Sequence, residues 1–519
     1  MSRPLAELIA RLDALGLLAA RPELQGTLPI GRVVMDSRRV EPGVLFAAVP
    51  GQHADGHDHA AEAAAHGAVA LLVERPLPAI ALPQVVVTAA RPALAVAAAW
   101  AAGDPATQLG VVGITGTDGK TTTAWLTRSV LEAAGEPTGL IGTIDVIAGG
   151  RSAGNAARTT TPEAPELQEH LAAMLAGGDR WAVIEATSHG LAQDRCGAIP
   201  WDVVIHTNIT SEHLEFHGTL AAYRAAKRRL FEWPGAAGLP TTKRWGRHAI
   251  VNRDDGAADE LAAAASAAGA RVIGYGSDPG CEVVALAIRD LPGGMRVRVR
   301  TPRWEDEVEI RLAGRFNVWN ALAAISAGEA LALDPGAIRR GIAGLRAVPG
   351  RMERIDAGQP FGVIVDYAHT AESLATVLDG LAAEAAANGG ALIACFGSAG
   401  DRDRTKRPVM GAVAARRCRA VVLTDEDARS EDPEAILAEI AAGAESAGMR
   451  RGDGLHLVPD RRQAIATAFR IARPGEIVLL AGKGHERSIE VAGERIPWDE
   501  AAVAREELAA LGWGAGPAR

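Results

Sequence analysis

Residues 113–123 read GITGTDGKTTT, an apolar stretch running into a glycine-bounded turn and then a row of hydroxyls. Gly116 and Gly119 let the backbone come close to an anion. The N-terminus of a following helix adds N–H donors and a positive dipole. Lys120 supplies a mobile cation, and Thr121 a hydroxyl suited to Mg²⁺ beside a phosphate. The spacing is a variant, because the common phosphate loop has glycine where Ile114 stands here. Magnesium takes few protein ligands plus phosphate oxygens, and Glu185, closing the apolar run WAVIE, is a carboxylate placed for that task.

These residues need a sheet edge to hold them. LGVVGIT (109–115) reads as a buried strand, and the helix after it places Leu126, Val130 and Ala134 at i, i+4 and i+8 before Gly135 ends it. WAVIEATSH (181–189) and DVVIHTNIT (202–210) are further strands, and their alternation with helices implies a parallel sheet. Residues 235–250 read as a surface loop, and 281–313, with MRVRVR inside, as a small β region. Beyond residue 347 come five apolar runs with polar ends: FGVIVDYAH, ALIACFGSAGDRD, AVVLTDEDAR, LHLVPDR and EIVLLAGKGHE. Ligands of open α/β sheets bind beyond such strand ends, so this is a second ligand-binding edge. Ahead of both, 31–51 reads as strand, loop, strand, and 60–74 as helix then strand. The expected fold is α/β with a smaller N-terminal α/β domain at 1–107, a central P-loop-type parallel-sheet ATPase domain at 108–346 and a C-terminal Rossmann-like domain at 347–519.

Bulk properties narrow the function. A chain of 519 residues is too long for one core. A net charge of −9 without long single-sign blocks argues against nucleic-acid binding. No apolar run approaches the ~20 residues of a membrane span. The N-terminal segment is amphipathic and contains acids, unlike a signal peptide. Cys196, Cys281, Cys395 and Cys418 are scattered with no CxxC, which points away from zinc or a disulfide frame and towards a reducing cytoplasm.

Ordered motifs across all three blocks resemble the Mur ligase family, and within it the enzymes that add the third residue of the peptidoglycan stem peptide. They are TGTDGKTTT, TTTPEA, EATSHGLAQDR, TNITSEHLEFHGT, YRAAKRRLF, GRFNVWNALAA, PGRMERI, DYAHT, GDRDRTKRP, EDARSEDP and GKGHE. The resemblance implies ATP bound by Gly116, Thr117, Gly119, Lys120, Thr121, Thr122, Asn317, Arg351 and Asp366. It implies one Mg²⁺ on Thr121 and Glu185, and a second served by His213 and by Lys227 after CO₂ has converted that lysine to a carbamate. Lys120, Lys227 and His213 are the expected catalytic residues. Ser37, within the DSR stretch Asp36–Arg38, matches a UDP-sugar contact, and Thr160, Thr161, Thr187, Gln193 and Arg195 match the muramoyl-dipeptide site. His53, His57 and His59 could be taken for a metal cluster, but their loop resembles the family's nucleotide-contact loop. Asp118 and Thr159 stand where the family usually has asparagine, and Thr187 where it usually has serine.

In the implied reaction the D-Glu carboxylate of the dipeptide attacks ATP, and an amine then attacks the acyl phosphate. No covalent enzyme nucleophile is needed, so the cysteines can be packing. Arg402, Glu426, Asp427, Arg429, Gly482 and Glu486 match the family's amino-acid contacts. The motif DNPR of diaminopimelate enzymes reads Glu-Asp-Ala-Arg here. Arg429 favours meso-diaminopimelate, whose distal carboxylate it can meet. Asp427 favours the bare ammonium of L-lysine or L-ornithine, with Arg429 then paired to Asp427 or Glu426. The expected partners are small molecules only, with no nucleic acid, no membrane insertion and a monomeric chain. Another Mur-type ligase, or a non-catalytic nucleotide-binding homologue, is the alternative.

Overall fold

The apolar run before the phosphate loop forms the strand Gly110–Thr115, buried at every position. In this computed structural model residues 2–514 are described, except 23, 25, 52–53, 156–158, 211, 213, 233–242, 244 and 292, with backbone only at 214–215. The chain forms two compact units. One comprises Met1–Ala287, Arg298–Val308 and Trp319–Ile342, the other Ile288–Val297, Glu309–Val318 and Ala343–Arg519. The expected block 1–107 and most of 108–346 fall in the first unit, with 288–297, 309–318 and 343–346 in the second.

In the first unit, a five-stranded sheet runs in the order Leu18–Ala20, Gln84–Val87, Ala70–Val73, Val44–Ala47, Arg32–Val34. The last four strands are parallel, and the first is antiparallel to its neighbour. The N-terminal amphipathic stretch becomes the helix Leu5–Ala14, burying Leu5, Leu8, Ile9 and Leu12. Ion pairs tie this block to the helix Ala164–Ala176: Arg32 to Glu169 and Arg39 to Glu166.

The central sheet has a parallel run in the order Thr138–Ile141, Trp181–Glu185, Gly110–Thr115, Val203–His206, His248–Asn252, Arg271–Gly276, continued by Val283–Leu291. Register pairs Glu185 with Ile114 and His206 with Thr115, so the loops leaving all three strands share one edge. The helix Lys120–Ala133 buries Leu126 and Val130 as the 3.6-residue period requires, and Gly135 follows at φ 82°. The expected loop 235–250 ends earlier than its composition implied. His248, Ala249 and Ile250 are strand, drawn into the ladder by parallel partners on both sides, while most of the preceding stretch lies outside the described residues. The β-rich stretch forms Val283–Leu291, Gly294–Arg300 and Glu305–Ile310, through which the chain passes between its units.

The second unit holds all five apolar runs as parallel strands, in the order Gly362–Asp366, Ile477–Ala481, Leu392–Phe396, Ala420–Leu423, Gly454–Leu457. Helices cover both faces, so side chains of both parities are buried and the strands read as continuous apolar runs. Among the described residues, no helix is long and apolar enough to cross a membrane.

Candidate active site

The phosphate-loop backbone is held from the side. Thr117 N–H donates to Asn208 O at 2.7 Å and Asp118 N–H to Asn208 Oδ1 at 2.9 Å, while Thr207 Oγ1 donates to Asp118 O at 2.6 Å. These partners belong to the TNIT stretch after the neighbouring strand. The glycines are sterically required. A Cβ on Gly116 would strike Thr207 Oγ1, and one on Gly119, at φ 82°, would strike Asn320 Oδ1. Lys120 folds over its own loop, donating to Gly116 O at 2.9 Å and Thr117 O at 2.7 Å, and Thr121 and Thr122 begin the helix.

Glu185 is fully buried and gathers hydroxyls. Its Oε2 accepts from Thr121 Oγ1 at 2.8 Å and Thr143 Oγ1 at 3.0 Å, and its Oε1 accepts from Thr143 N–H at 3.0 Å. One carboxylate and two hydroxyls form a hard oxygen set of the kind magnesium prefers. Thr143 was not singled out from sequence. Its signal was a Gly-Thr pair following the apolar run TGLI, a strand end on the same edge as Glu185. Thr143 Oγ1 also lies 3.0 Å from Thr160 Oγ1. Thr161 Oγ1 donates to Glu185 O at 2.7 Å and lies 3.0 Å from Thr187 Oγ1. Arg195 donates to Thr161 O at 2.8 Å and to Gln193 Oε1 at 2.8 Å, and it pairs with Glu163 at 2.9 Å. Burial pulls its guanidinium below the usual arginine range. Thr161, Thr187, Gln193 and Arg195 thus form one hydrogen-bonded chain running away from Glu185, and Thr160 joins Glu185 through Thr143.

Lys227 is not the solvated lysine that its arginine-rich helix suggests. It is 1% exposed, donates to Gly116 O at 2.6 Å, and lies over the Tyr223 ring at 4.5 Å. Burial, and then the nearby charge of Lys120, push its amine well below the usual lysine range. Tyr223 OH in turn meets Thr117 Oγ1 at 3.0 Å. His213 lies outside the described residues. In the first block, Ser37 opens a short 3₁₀ turn capped by Asp36, and its hydroxyl bonds the Glu62 carboxylate. His57 is buried between Asp55, at 2.6 Å, and the N–H of Glu74, at 3.0 Å, which is a structural role. His53 lies outside the described residues. Among those described, no cluster of three or more histidine, cysteine or acidic side chains gathers to hold a metal.

In the second unit the strand ends converge. Asp366 accepts from Met352 N–H and Ala368 N–H, both at 2.8 Å, and Arg351 stacks on Tyr367 at 4.7 Å. Asn317 is 2% exposed and donates to Ala313 O at 2.6 Å. Lys483, fully buried, pairs with Glu486 and with Asp427 at 3.1 Å, and Asp427 Oδ1 also accepts from Glu490 N–H at 2.7 Å. Lys483 is thus shared between Asp427 and Glu486. Glu426 is buried with Oε2 lacking a hydrogen-bond partner, beside Gly482, where a Cβ would come within 2.6 Å of it. Arg429 forms no pair with Asp427 or Glu426. Its Nε is buried without a partner, and its backbone, at φ 54°, is fixed by bonds to Glu490 O at 2.9 Å and from Ala492 N–H at 2.7 Å. Arg402 stands apart, exposed in the loop after Leu392–Phe396.

Three family models match in order: "Mur ligase family, catalytic domain" over 29–102, "Mur ligase middle domain" over 114–328, and "Mur ligase, glutamate ligase domain" over 350–484. A UDP-N-acetylmuramyl-tripeptide synthetase of Roseiflexus sp. (strain RS-1) is 47% identical over 95% of this chain and 96% of its own. The chain belongs to the Mur ligase family.

A UDP-N-acetylmuramoyl-L-alanyl-D-glutamate–2,6-diaminopimelate ligase of Solibacter usitatus (strain Ellin6076) is 43% identical over 95% of this chain and 96% of its own. A solved structure of a ligase bearing that same name shares 29% identity and a TM-score of 0.68, over 99% of this chain and 100% of the other. As a Mur ligase the chain is an ATP-dependent amide-forming enzyme. The C-terminal family model stops at residue 484, so Glu486, the hairpin carrying Glu490 and the last helix lie beyond it.

Proposed function

We propose that this Mur ligase adds meso-diaminopimelate to UDP-MurNAc-L-Ala-D-Glu at the expense of ATP, working as a monomer in the cytoplasm. Residues 1–107 hold the UDP-sugar, 108–346 the ATP and 347–519 the amine. The observation that carries the choice of amine is Arg429, whose Nε has no partner among the described residues while Asp427 is paired to Lys483. The side chain is half-buried with its Nε enclosed, and a ligand carboxylate is a natural counter-charge for such a guanidinium. The Solibacter relative's name specifies the same amine, whereas the Roseiflexus relative's name leaves the third residue open.

The dipeptide's D-Glu carboxylate attacks the γ-phosphoryl group of ATP, giving an acyl phosphate and ADP. The amine adds to the acyl carbon, and phosphate leaves from the tetrahedral intermediate. Lys120 and the phosphate-loop amides hold the transferring group, which suits a step governed by positioning and electrostatics. Thr160, Thr161, Thr187, Gln193 and Arg195 orient the dipeptide, and Glu426 and Glu486 receive the amine's ammonium groups. Asn317, Arg351 and Asp366 complete the nucleotide site. The Thr121, Thr143 and Glu185 oxygens would hold Mg²⁺, with His213 and a carbamate on Lys227 serving a second ion. Bound Mg²⁺ neutralises charge developing on the phosphoryl oxygens.

The deciding assay mixes the protein with ATP, Mg²⁺ and UDP-MurNAc-L-Ala-D-Glu and follows phosphate release with each amine in turn. Release dependent on meso-diaminopimelate is expected; release with L-lysine or L-ornithine alone would assign the amine differently, and none with any amine would end the proposal. Thr143→Val, which deletes a hydroxyl from the Glu185 group, should raise the Mg²⁺ concentration for half-maximal rate by about tenfold, one lost charged hydrogen bond. An unchanged magnesium titration would remove Thr143 from the metal set.

A further inference from the structure

A buried guanidinium lies beneath the amine end of the second unit. Arg461 opens the helix Arg461–Ile471 and is 3% exposed. Its Nε donates to Glu500 Oε2 at 2.9 Å and its Nη2 to Glu500 Oε1 at 2.7 Å. The remaining donors do not go to side chains. Nη2 also donates to Ala481 O at 2.8 Å, and Nη1 to Asp425 O at 3.1 Å. Ala481 is the last residue of its strand, directly before Gly482 and the loop to Glu486. Asp425 directly precedes Glu426, Asp427 and Arg429. One rigid fork thus grips the roots of two loops that carry amine contacts. Glu500, on the helix Glu500–Ala510, is 1% exposed and is fixed in turn by Trp498 Nε1 at 2.6 Å.

A buried ion pair is not required for stability, since a well-packed apolar pair commonly serves as well. What an apolar pair cannot do is hold two backbone carbonyls at a set separation, which the planar guanidinium does with directed donors. We infer that Arg461, which touches no substrate, is a positioning residue for the amine, setting the spacing between the Glu426–Arg429 and Gly482–Glu486 loops. This rests on the amine site proposed above. Misplacement of binding groups by about 1 Å is enough to weaken productive binding strongly.

Two variants separate positioning from folding. Arg461→Lys keeps a cation for Glu500 and loses the fork. The paired change Arg461→Met with Glu500→Leu removes both buried charges together. Phosphate release by the full chain is followed while ATP, the UDP-dipeptide or meso-diaminopimelate is varied. Both variants should raise the amine KM about tenfold or more, with the other two KM values within about threefold. Amide exchange at 425–429 and 482–486 should quicken about tenfold while Leu392–Phe396 keeps its protection. Equal changes in all three KM values, an unchanged amine KM, unchanged exchange in the two loops, or loss of fold in both variants would each overturn the inference. If the unaltered chain releases no phosphate with any amine, the ligase proposal fails by itself, and the exchange measurement still decides whether Arg461 sets the loops.

Discussion

Replacing Lys227 with alanine is expected to lower phosphate release by on the order of 10²–10³-fold, the scale of losing one charge-stabilising group in a water-excluded site. Added bicarbonate should leave the loss in place. The side chain is positioned for more than packing. It is fully enclosed, its Nζ bonds to the carbonyl of Gly116, and it sits against the ring of Tyr223, whose hydroxyl reaches Thr117. Burial is the main cause of its lowered affinity for a proton, and Lys120 adds to it. A neutral amine is the form that reacts with CO₂. The nitrogen lone pair forms the N–C bond, a proton leaves, and the neutral amine becomes an anionic carbamate beside the phosphate loop. The carbamate would supply a metal-binding oxygen pair that the unmodified amine lacks. The intact mass with and without bicarbonate measures the adduct, and turnover measures its use. Near-normal turnover in Lys227→Ala would dismiss the carbamate altogether.

Much of this site was legible because its parts are local. The phosphate loop, its strand and its helix lie within one continuous stretch, and the periodicity at Leu126 and Val130 is a short-range property. The five apolar runs beyond residue 347 were legible for the same reason, since strands covered on both faces need no alternation. What escaped depends on contacts between distant segments. Thr143 matters because its strand lies beside that of Glu185, 42 residues along the chain. Thr207 and Asn208 matter because their loop holds the phosphate loop, and Asn320 because it fills the space a side chain at Gly119 would need. Lys227 among arginines carried no mark of burial, since its enclosure comes from the fold around Gly116 and Tyr223. The strand at His248–Asn252 was missed at its start because a Gly, Pro and Arg-rich stretch precedes it, and pairing on both sides overrode that local signal.

The altered selectivity motif is where sequence gave two opposed answers, and Arg429→Met is the substitution that separates them. It should lower kcat/KM for meso-diaminopimelate by roughly 10²-fold, within the ~1.5–3 kcal/mol attached to a hydrogen bond to a charged group. Turnover of L-lysine, which brings no distal carboxylate, should fall by less than about tenfold. The physical basis is the division of charge around the loop. Asp427 stands where diaminopimelate enzymes have asparagine, yet its Oδ1 is taken by Lys483 and by the N–H of Glu490. Among the described residues it forms no ion pair with Arg429. Ala428 stands where proline is usual, so the ring no longer restrains the chain. Two backbone bonds to the hairpin at Glu490 and Ala492 restrain it instead, holding Arg429 in a left-handed conformation that a side chain of its size seldom adopts. The motif has changed its letters while keeping an arginine on a fixed backbone, its Nε without a partner among the described residues. Equal losses with both amines would mean that Arg429 shapes the loop and does not read the substrate. A chain that uses L-lysine from the outset would mean that the unpartnered oxygen of Glu426 outweighs the cation beside it.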